Sequence, residues 1–338
     1  MITDISQERL EKLGKKIRQY RKNKNLSQEK LAELYEFELA DQINKLHYPQ
    51  FPKALDKNVF LGNPATTLVS FAIKYLGWSC CDHAEAVALG SLATGEDEKK
   101  WPEINGVQIR ACKSDVLLTL KRKNSANTIG VSVKQCNNKT PTNAQLFFST
   151  AHAFCELLRG NDIDVSSKGE YALRQFCGDI GYRPQDDLKI FAKRKTDPRR
   201  YFWEEISSDG RNEFKLIFKN HQDEITRLLL QKAYLADPFT PEILIHKTKM
   251  VQGNSQEFAL YGIEELIQLS KNYRGFEKKE YSVRKGQYKD PEGVFHEAPR
   301  FGVVQMQRGG QKQHPTQLQF NLFHYVFKMA LIQGQLVS

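Results

Sequence analysis

The chain has 338 residues, enough for one large domain with an appendage or for two, and its 40% apolar and 27% charged residues suit a folded globular protein and exclude an extended disordered one. Lys and Arg (50) exceed Asp and Glu (40), a formal charge of +10 that draws polyanions; nucleic acid is the leading partner and a merely basic soluble protein the alternative. No apolar run reaches the roughly 18 to 20 residues of a membrane helix, since Lys74 interrupts Leu68 to Trp78, and Met1 to Glu11 carries acids and no apolar h-region, so the chain is expected to be cytoplasmic.

Residues 1–60 read as a basic helical N-terminal extension, with Leu10, Leu13 and Ile17 at helical spacing among Lys15, Lys16, Arg18, Arg21, Lys22 and Lys24. Ser27 and Glu29 open a second helix carrying Leu31 and Leu34. Leu13 to Tyr35 resembles the first two helices of the repressor-type helix-turn-helix. Glu36 to Phe51 lacks that family's short turn and polar recognition helix, and Pro49 and Pro52 end it. A DNA-reading element and a helical arm packed on the body or on phosphate are both open readings.

Residues 61–338 form the main domain. Asn63-Pro64 predicts a helix to Tyr75, and Asp82 to Leu92 a second one. Strands are expected over Val107 to Arg122, broken near Lys113-Ser114, and over Ile129 to Gln135, joined by a polar turn. A helix is expected over Thr142 to Leu158, a basic loop over Arg183 to Arg200, and a helix over Arg211 to Tyr234. Phe301 to Arg308 and Gln317 to Leu322 read as strands around the loop Gly309 to Thr316. The six cysteines form no CxxC pair and read as reduced thiols; adjacent Cys80 and Cys81 with His83 make a poor tetrahedral zinc site. There is no internal repeat, serine triad, P-loop or dinucleotide fingerprint.

Asp115 opens one expected strand and Lys134 lies on the next, with Ser132 on the same face as the lysine and Val131 and Val133 on the other. Phosphodiester hydrolysis uses a hard cation on carboxylate and carbonyl oxygens, and a lysine near the attacking water and scissile phosphate. An Asp followed by x-x-Lys on the adjoining strand supplies both. Lys113-Ser114-Asp115-Val116, Val131-Ser132-Val133-Lys134 and Asn137-Asn138-Lys139 together resemble the PD-(D/E)xK nucleases, in particular the MspI-like type II restriction endonucleases that cut four-base palindromes such as CCGG and GCGC. Arg199-Arg200-Tyr201-Phe202, the apolar Ile243-Leu244-Ile245, and the stretch from Arg300-Phe301-Gly302-Val303 through Gln307-Arg308-Gly309-Gly310 to Gln317-Leu318-Gln319-Phe320 follow in the same order.

The resemblance covers roughly Ile109 to Leu322. It implies an α/β fold with a mixed central sheet flanked by helices, and Mg2+-dependent cleavage of a short, palindromic site in double-stranded DNA. It also implies a companion DNA methyltransferase in the host, and a monomer or weak homodimer. Asp115, Ser132 and Lys134 are the implied catalytic residues, with Asp115 and the Val133 carbonyl on the metal. Most of the superfamily has Glu or Asp where this chain has Ser132, so Asp115 carries more of the metal affinity; Glu85, Glu98 and Glu103 are candidates for the missing carboxylate and read as ordinary surface acids. A DNA-binding regulator or a low-specificity repair nuclease on the same fold is the alternative.

In Gln317 to Leu322 the alternation is strict, so Leu318, Phe320 and Leu322 face a core and three amides face away, as Gln305 and Gln307 do on the preceding strand. Amides both donate and accept, as base edges require, and Arg308 can bond a guanine bidentately. Gln305, Gln307, Arg308, Lys312, Gln317 and Gln319 are therefore expected to touch DNA, and the resemblance implies the same of Ser114, Gln135, Lys139, Arg199 and Arg200. The basic run Lys193, Arg194, Lys195, Arg199 and Arg200 reads as a solvated face or, beside Tyr201, Phe202 and Trp203, as a clamp on backbone phosphate. His152 reads as a core histidine, and His314 as a phosphate or base contact.

Overall fold

The chain divides into two units by its internal contacts, Met1–Thr142 with Pro238–Ile263 and Phe327–Ser338, and Asn143–Asp237 with Glu264–Val326. The structure, a computed structural model, describes residues 28–55, 58–89, 103–104, 107–108, 112–135, 144–193, 200–233, 235, 237–247, 256–281, 284–285, 288–289, 295–308, 316–322 and 335–336. The strands are β1 (Val59–Gly62), β2 (His83–Ala88), β3 (Glu103–Ile104), β4 (Val107–Gln108), β5 (Val116–Arg122), β6 (Ser125–Gln135), β7 (Ala144–Thr150), β8 (Pro241–Lys247), β9 (Gln256–Gly262), β10 (Phe276–Tyr281), β11 (Arg284–Lys285), β12 (Tyr288–Lys289), β13 (His296–Phe301), β14 (Val304–Arg308), β15 (Gln317–Leu322) and β16 (Gln335–Leu336). The helices are α1 (Gln28–Asn44), α2 (Pro64–Tyr75), α3 (Ala151–Arg159), α4 (Ser167–Cys177), α5 (Leu188–Lys193), α6 (Ser208–Asn220), α7 (Gln222–Gln231) and α8 (Ile263–Lys271).

In the first unit a seven-stranded mixed sheet runs β16-β1-β9-β8-β6-β5-β2, with β6 parallel to β8 and antiparallel to β5. One face carries Val116, Leu118, Leu120, Val131, Val133, Ile243, Ile245, Phe258 and Leu260, and buries them against Leu39 and Ile43 of α1 and Leu68, Val69, Ala72 and Ile73 of α2. Helix α2 starts where the sequence places it: the Asn63 side chain accepts from the backbone N–H groups of Ala65 and Thr66, and Pro64 needs no donor partner. Asn44, at the end of α1, donates to Ala86 O (2.9 Å) and accepts from Ala86 N (2.7 Å), satisfying backbone groups on the edge strand β2.

In the second unit β10-β13-β14-β15-β7 form an antiparallel sheet. Its core is aromatic: Phe218 stacks on Phe301 (4.3 Å) and Phe276 (5.8 Å), Trp203 meets Phe176 edge-on (5.4 Å), and Phe154 lies 4.6 Å from Phe320. Among the described residues no helix is long and apolar enough to cross a membrane.

Several expected elements differ. Residues 83–88 form strand β2, not part of a helix, because alternating Ala84, Ala86 and Ala88 are buried while His83 and Glu85 face solvent; pairing with β5 overrides the helix propensity of Ala and Glu. The helix expected from residue 142 begins only at Ala151. Thr150 caps it, accepting from Ala153 N at 3.1 Å, and Leu146 and Phe147 belong to β7. The strand expected over 301–308 is split between β13 and β14 by a turn at Gly302, whose φ of 52° favours glycine. His221 divides the helix expected over 211–234 into α6 and α7. The basic stretch from Arg183 holds a 3-10 turn (Pro184–Asp186) and α5. Where a helix-turn-helix would turn, α1 runs unbroken to Asn44.

Candidate active site

Strands β5 and β6 form a hairpin whose register pairs Val116 with Val131 at its open end. Asp115 stands one residue before β5, and its backbone N–H still donates to Val131 O at 2.9 Å. Beyond that point the side chain replaces the ladder: Asp115 Oδ2 accepts from Val133 N at 2.6 Å, from Ser132 Oγ at 3.3 Å and from Lys134 Nζ at 3.4 Å. One carboxylate oxygen thus gathers a backbone donor, a hydroxyl and an ammonium. The side chains of Lys134 and Asp115 keep 19% and 27% of their surface exposed, so this ion pair is within reach of a solute. Ser132 is buried, and its hydroxyl donates inward to the carboxylate.

The hairpin comes this close to β8 because residue 130 is glycine. A Cβ there would lie 2.5 Å from the Thr240 carbonyl oxygen, 3.0 Å from Pro241 Cα, and against Ser114 Oγ. Ser114, expected to touch DNA, is buried with its hydroxyl donating to Phe239 O at 2.8 Å, which pins the segment leading into Asp115. Gln135, at the end of β6, is half-buried. Glu85 does not complete the site: it pairs across the sheet with Thr119, four residues along β5 from Asp115 and so roughly 13 Å away, and its carboxylate lies 3.6 Å from Lys121. Glu98 lies outside the described residues, as does the side chain of Glu103.

On β14 and β15 the cross-strand pairs Gln305–Asn321 and Gln307–Gln319 share one face, while Met306–Phe320 and Arg308–Leu318 share the other. The amides are linked: Gln319 Nε2 donates to Asn321 Oδ1 (3.0 Å) and Asn321 Nδ2 to Gln307 Oε1 (3.2 Å). Gln307, Gln317 and Gln319 are half-buried, and Gln305 is buried.

Arg308 corrects the expectation of a base contact among these amides. Two-residue alternation places it on the core face, where it is buried, donates to Tyr201 O at 3.1 Å and lies 4.2 Å above the Phe202 ring. Tyr201, Phe202 and Trp203, expected beside a DNA clamp, are buried in the same core, and Arg200 before them is half-buried. His152 is exposed rather than a core residue, because α3 buries Ala151, Phe154, Cys155, Leu157 and Leu158 on its other side; its Nδ1 lies 2.8 Å from Glu170 Oε1. Lys139, Arg199, Lys312 and His314 lie outside the described residues, as do Arg194, Lys195 and the Lys193 side chain.

One neighbour of the site was not anticipated. His246 on β8 pairs in register with Lys134 and is buried. Its only trace in the sequence is a polar residue near the end of the apolar run Ile243-Leu244-Ile245.

No family model and no curated protein matches the chain. Among solved structures it is similar to the crystal structure of restriction endonuclease MspI in complex with its cognate DNA, at 11% identity and a TM-score of 0.39, over 76% of this chain and 78% of that one. A likeness of that extent leaves function to the chemistry of the site.

Proposed function

We propose that the chain is a DNA nuclease of the PD-(D/E)xK kind, a type II restriction endonuclease cutting a short palindromic site in duplex DNA with Mg2+. The observation that carries the reading is the convergence of Val133 N, Ser132 Oγ and Lys134 Nζ on Asp115 Oδ2, in a partly exposed position at the open end of a hairpin. The +10 charge accords with a polyanionic substrate.

The donor set suits a hard cation. Mg2+ is commonly bound through one or two carboxylates, with water and substrate phosphate completing its shell. Among the described residues the cluster offers one carboxylate, Asp115, and the Val133 carbonyl would be the second protein ligand. When bound, the ion supplies Lewis acidity and a more acidic water. The chain's own groups do the rest. Lys134 sets a positive charge beside the scissile phosphate, offsetting the negative charge that grows on it. Ser132 and the Val133 N–H hold the Asp115 carboxylate in place, a supporting part where many such nucleases use a second acid. Gln307, Gln317 and Gln319, the half-buried amides of β14 and β15, would read base edges, and cations among Lys139, Arg199, Arg200 and Lys312 would meet phosphate.

Incubating a plasmid of known sequence with the protein and Mg2+ tests the reading. Discrete fragments that disappear with EDTA or in Asp115→Asn support it; a smear would indicate loose specificity, and an intact but shifted band a DNA-binding protein without cleavage. A methyltransferase reading frame beside this one would accord with a restriction system.

A further inference from the structure

We infer that His246 is a positioning residue for Lys134, holding its ammonium at the Asp115 carboxylate. The inference rests on the nuclease reading of that site and extends it to a strand which had no part in it.

Strand β6 lies between β5 and β8, so a side chain on β6 has a neighbour on either flank. For Lys134 one flank is Asp115, at 3.4 Å; the other is His246, its partner in the parallel ladder. Residues paired in a ladder project from the same face, so the imidazole stands beside the lysine stem. The next pair along, Ser132 and Leu244, shows how particular this is: the buried serine has an apolar neighbour, the lysine a polar one.

A lysine side chain has four flexible carbons, and nothing in its own chemistry fixes where the ammonium sits. In a catalytic site a displacement of about 1 Å is costly, so the walls around such a chain matter. His246 is 1% exposed and cannot touch a substrate; whatever it does, it does through its neighbours. Opposite it on β9 is Ala259, too small to crowd the ring, with Glu257 and Tyr261 on the same face to either side. Burial and the Lys134 charge both oppose protonation of the ring. A neutral imidazole offers Lys134 a polar, uncharged wall, where a second cation would repel it.

The experiment compares single-turnover cleavage of plasmid DNA in Mg2+ with affinity for the same DNA in Ca2+, for wild type, His246→Leu, His246→Gln and Asp115→Asn. His246→Leu, similar in volume but apolar, is expected to cut about tenfold more slowly with unchanged affinity. His246→Gln, which restores a neutral polar group, is expected to recover to within about threefold of wild type. Should the leucine variant not fold, His246→Met, adaptable in a packed site, takes its place in the comparison. Wild-type cleavage by the apolar variant, or equal slowing in the apolar and Gln variants, would overturn the positioning role while Asp115→Asn stays inactive. A wild type that does not cleave, or an active Asp115→Asn, would instead overturn the nuclease reading and the inference with it.

Discussion

Asp115 Oδ2 accepts three donors, and the roles of those donors differ in kind. Removing the carboxylate charge in Asp115→Asn, or the ammonium in Lys134→Ala, is expected to lower cleavage by several orders of magnitude with DNA affinity in Ca2+ retained. Ser132→Ala is expected to cost far less, since Val133 N still holds the carboxylate at 2.6 Å. Single-turnover rates in Mg2+ check all three, and full activity in either of the first two would sink the assignment. Gly130 makes a separate prediction about stability. Its Cβ would strike the Thr240 carbonyl, a backbone atom unable to rotate away, so Gly130→Ala should destabilise by about 2 to 3 kcal/mol in denaturant unfolding. Unchanged stability would mean that the approach of β6 to residues 240 and 241 is not tight.

At the scale of the hairpin β14–β15, period-two alternation separates residues that are neighbours in sequence. Gln307 projects with Gln319 and Asn321, whereas Arg308 projects inward. Truncating Arg308 removes a cation stacked on Phe202 and leaves the Tyr201 carbonyl without that donor, so Arg308→Ala is expected to lower stability by about 2 to 3 kcal/mol. It should weaken binding to all DNA sequences alike, and only through the folded fraction. Gln307→Ala with Gln319→Ala removes two amide partners of the buried Asn321, so it too should lower stability, by about 1 to 3 kcal/mol, but it should reduce preference for the cleaved site beyond any effect of the folded fraction. Melting curves and affinities for cleaved-site and random duplexes, at one salt concentration, separate the two; selective loss of site preference in Arg308→Ala would return it to the base-reading face.

Across the whole molecule, two solution variables follow. With a charge of +10, DNA affinity measured in Ca2+ should fall steeply as salt rises, and neutralising Lys193, Arg194 and Lys195 together should flatten that slope without changing the preferred sequence. An unaltered slope would make that run a solvated face. The second variable is pH. The His246 pKa is pushed down from 6.5 to about 4, first by burial and then by Lys134. The unfolded chain therefore takes up this proton as pH falls through 6.5 while the folded chain resists until about 4. Stability is full above pH 6.5 and declines across that window, by about 3 kcal/mol at its end. Subtracting the same titration for His246→Gln isolates the contribution, and identical acid sensitivity in both proteins would refute it.

What could be read from the amino acids alone was what local pairing determines. Asp115, Ser132 and Lys134 come together because a short polar turn folds β5 back on β6, and a hairpin register depends on nearby residues. The start of α2 was equally legible, since Asn63 and Pro64 act on the first turn of their own helix. The alternation of β15 likewise foretold Leu318, Phe320 and Leu322 as core residues. Other features only the tertiary structure decided. Residues 83–88 are a strand because β5 pairs with them, Thr150 ends β7 rather than continuing a helix, and the core of the second unit takes the rings expected beside DNA. His246 reaches Lys134 through a parallel pairing, which joins strands distant in the chain by a contact that no periodicity in either segment encodes.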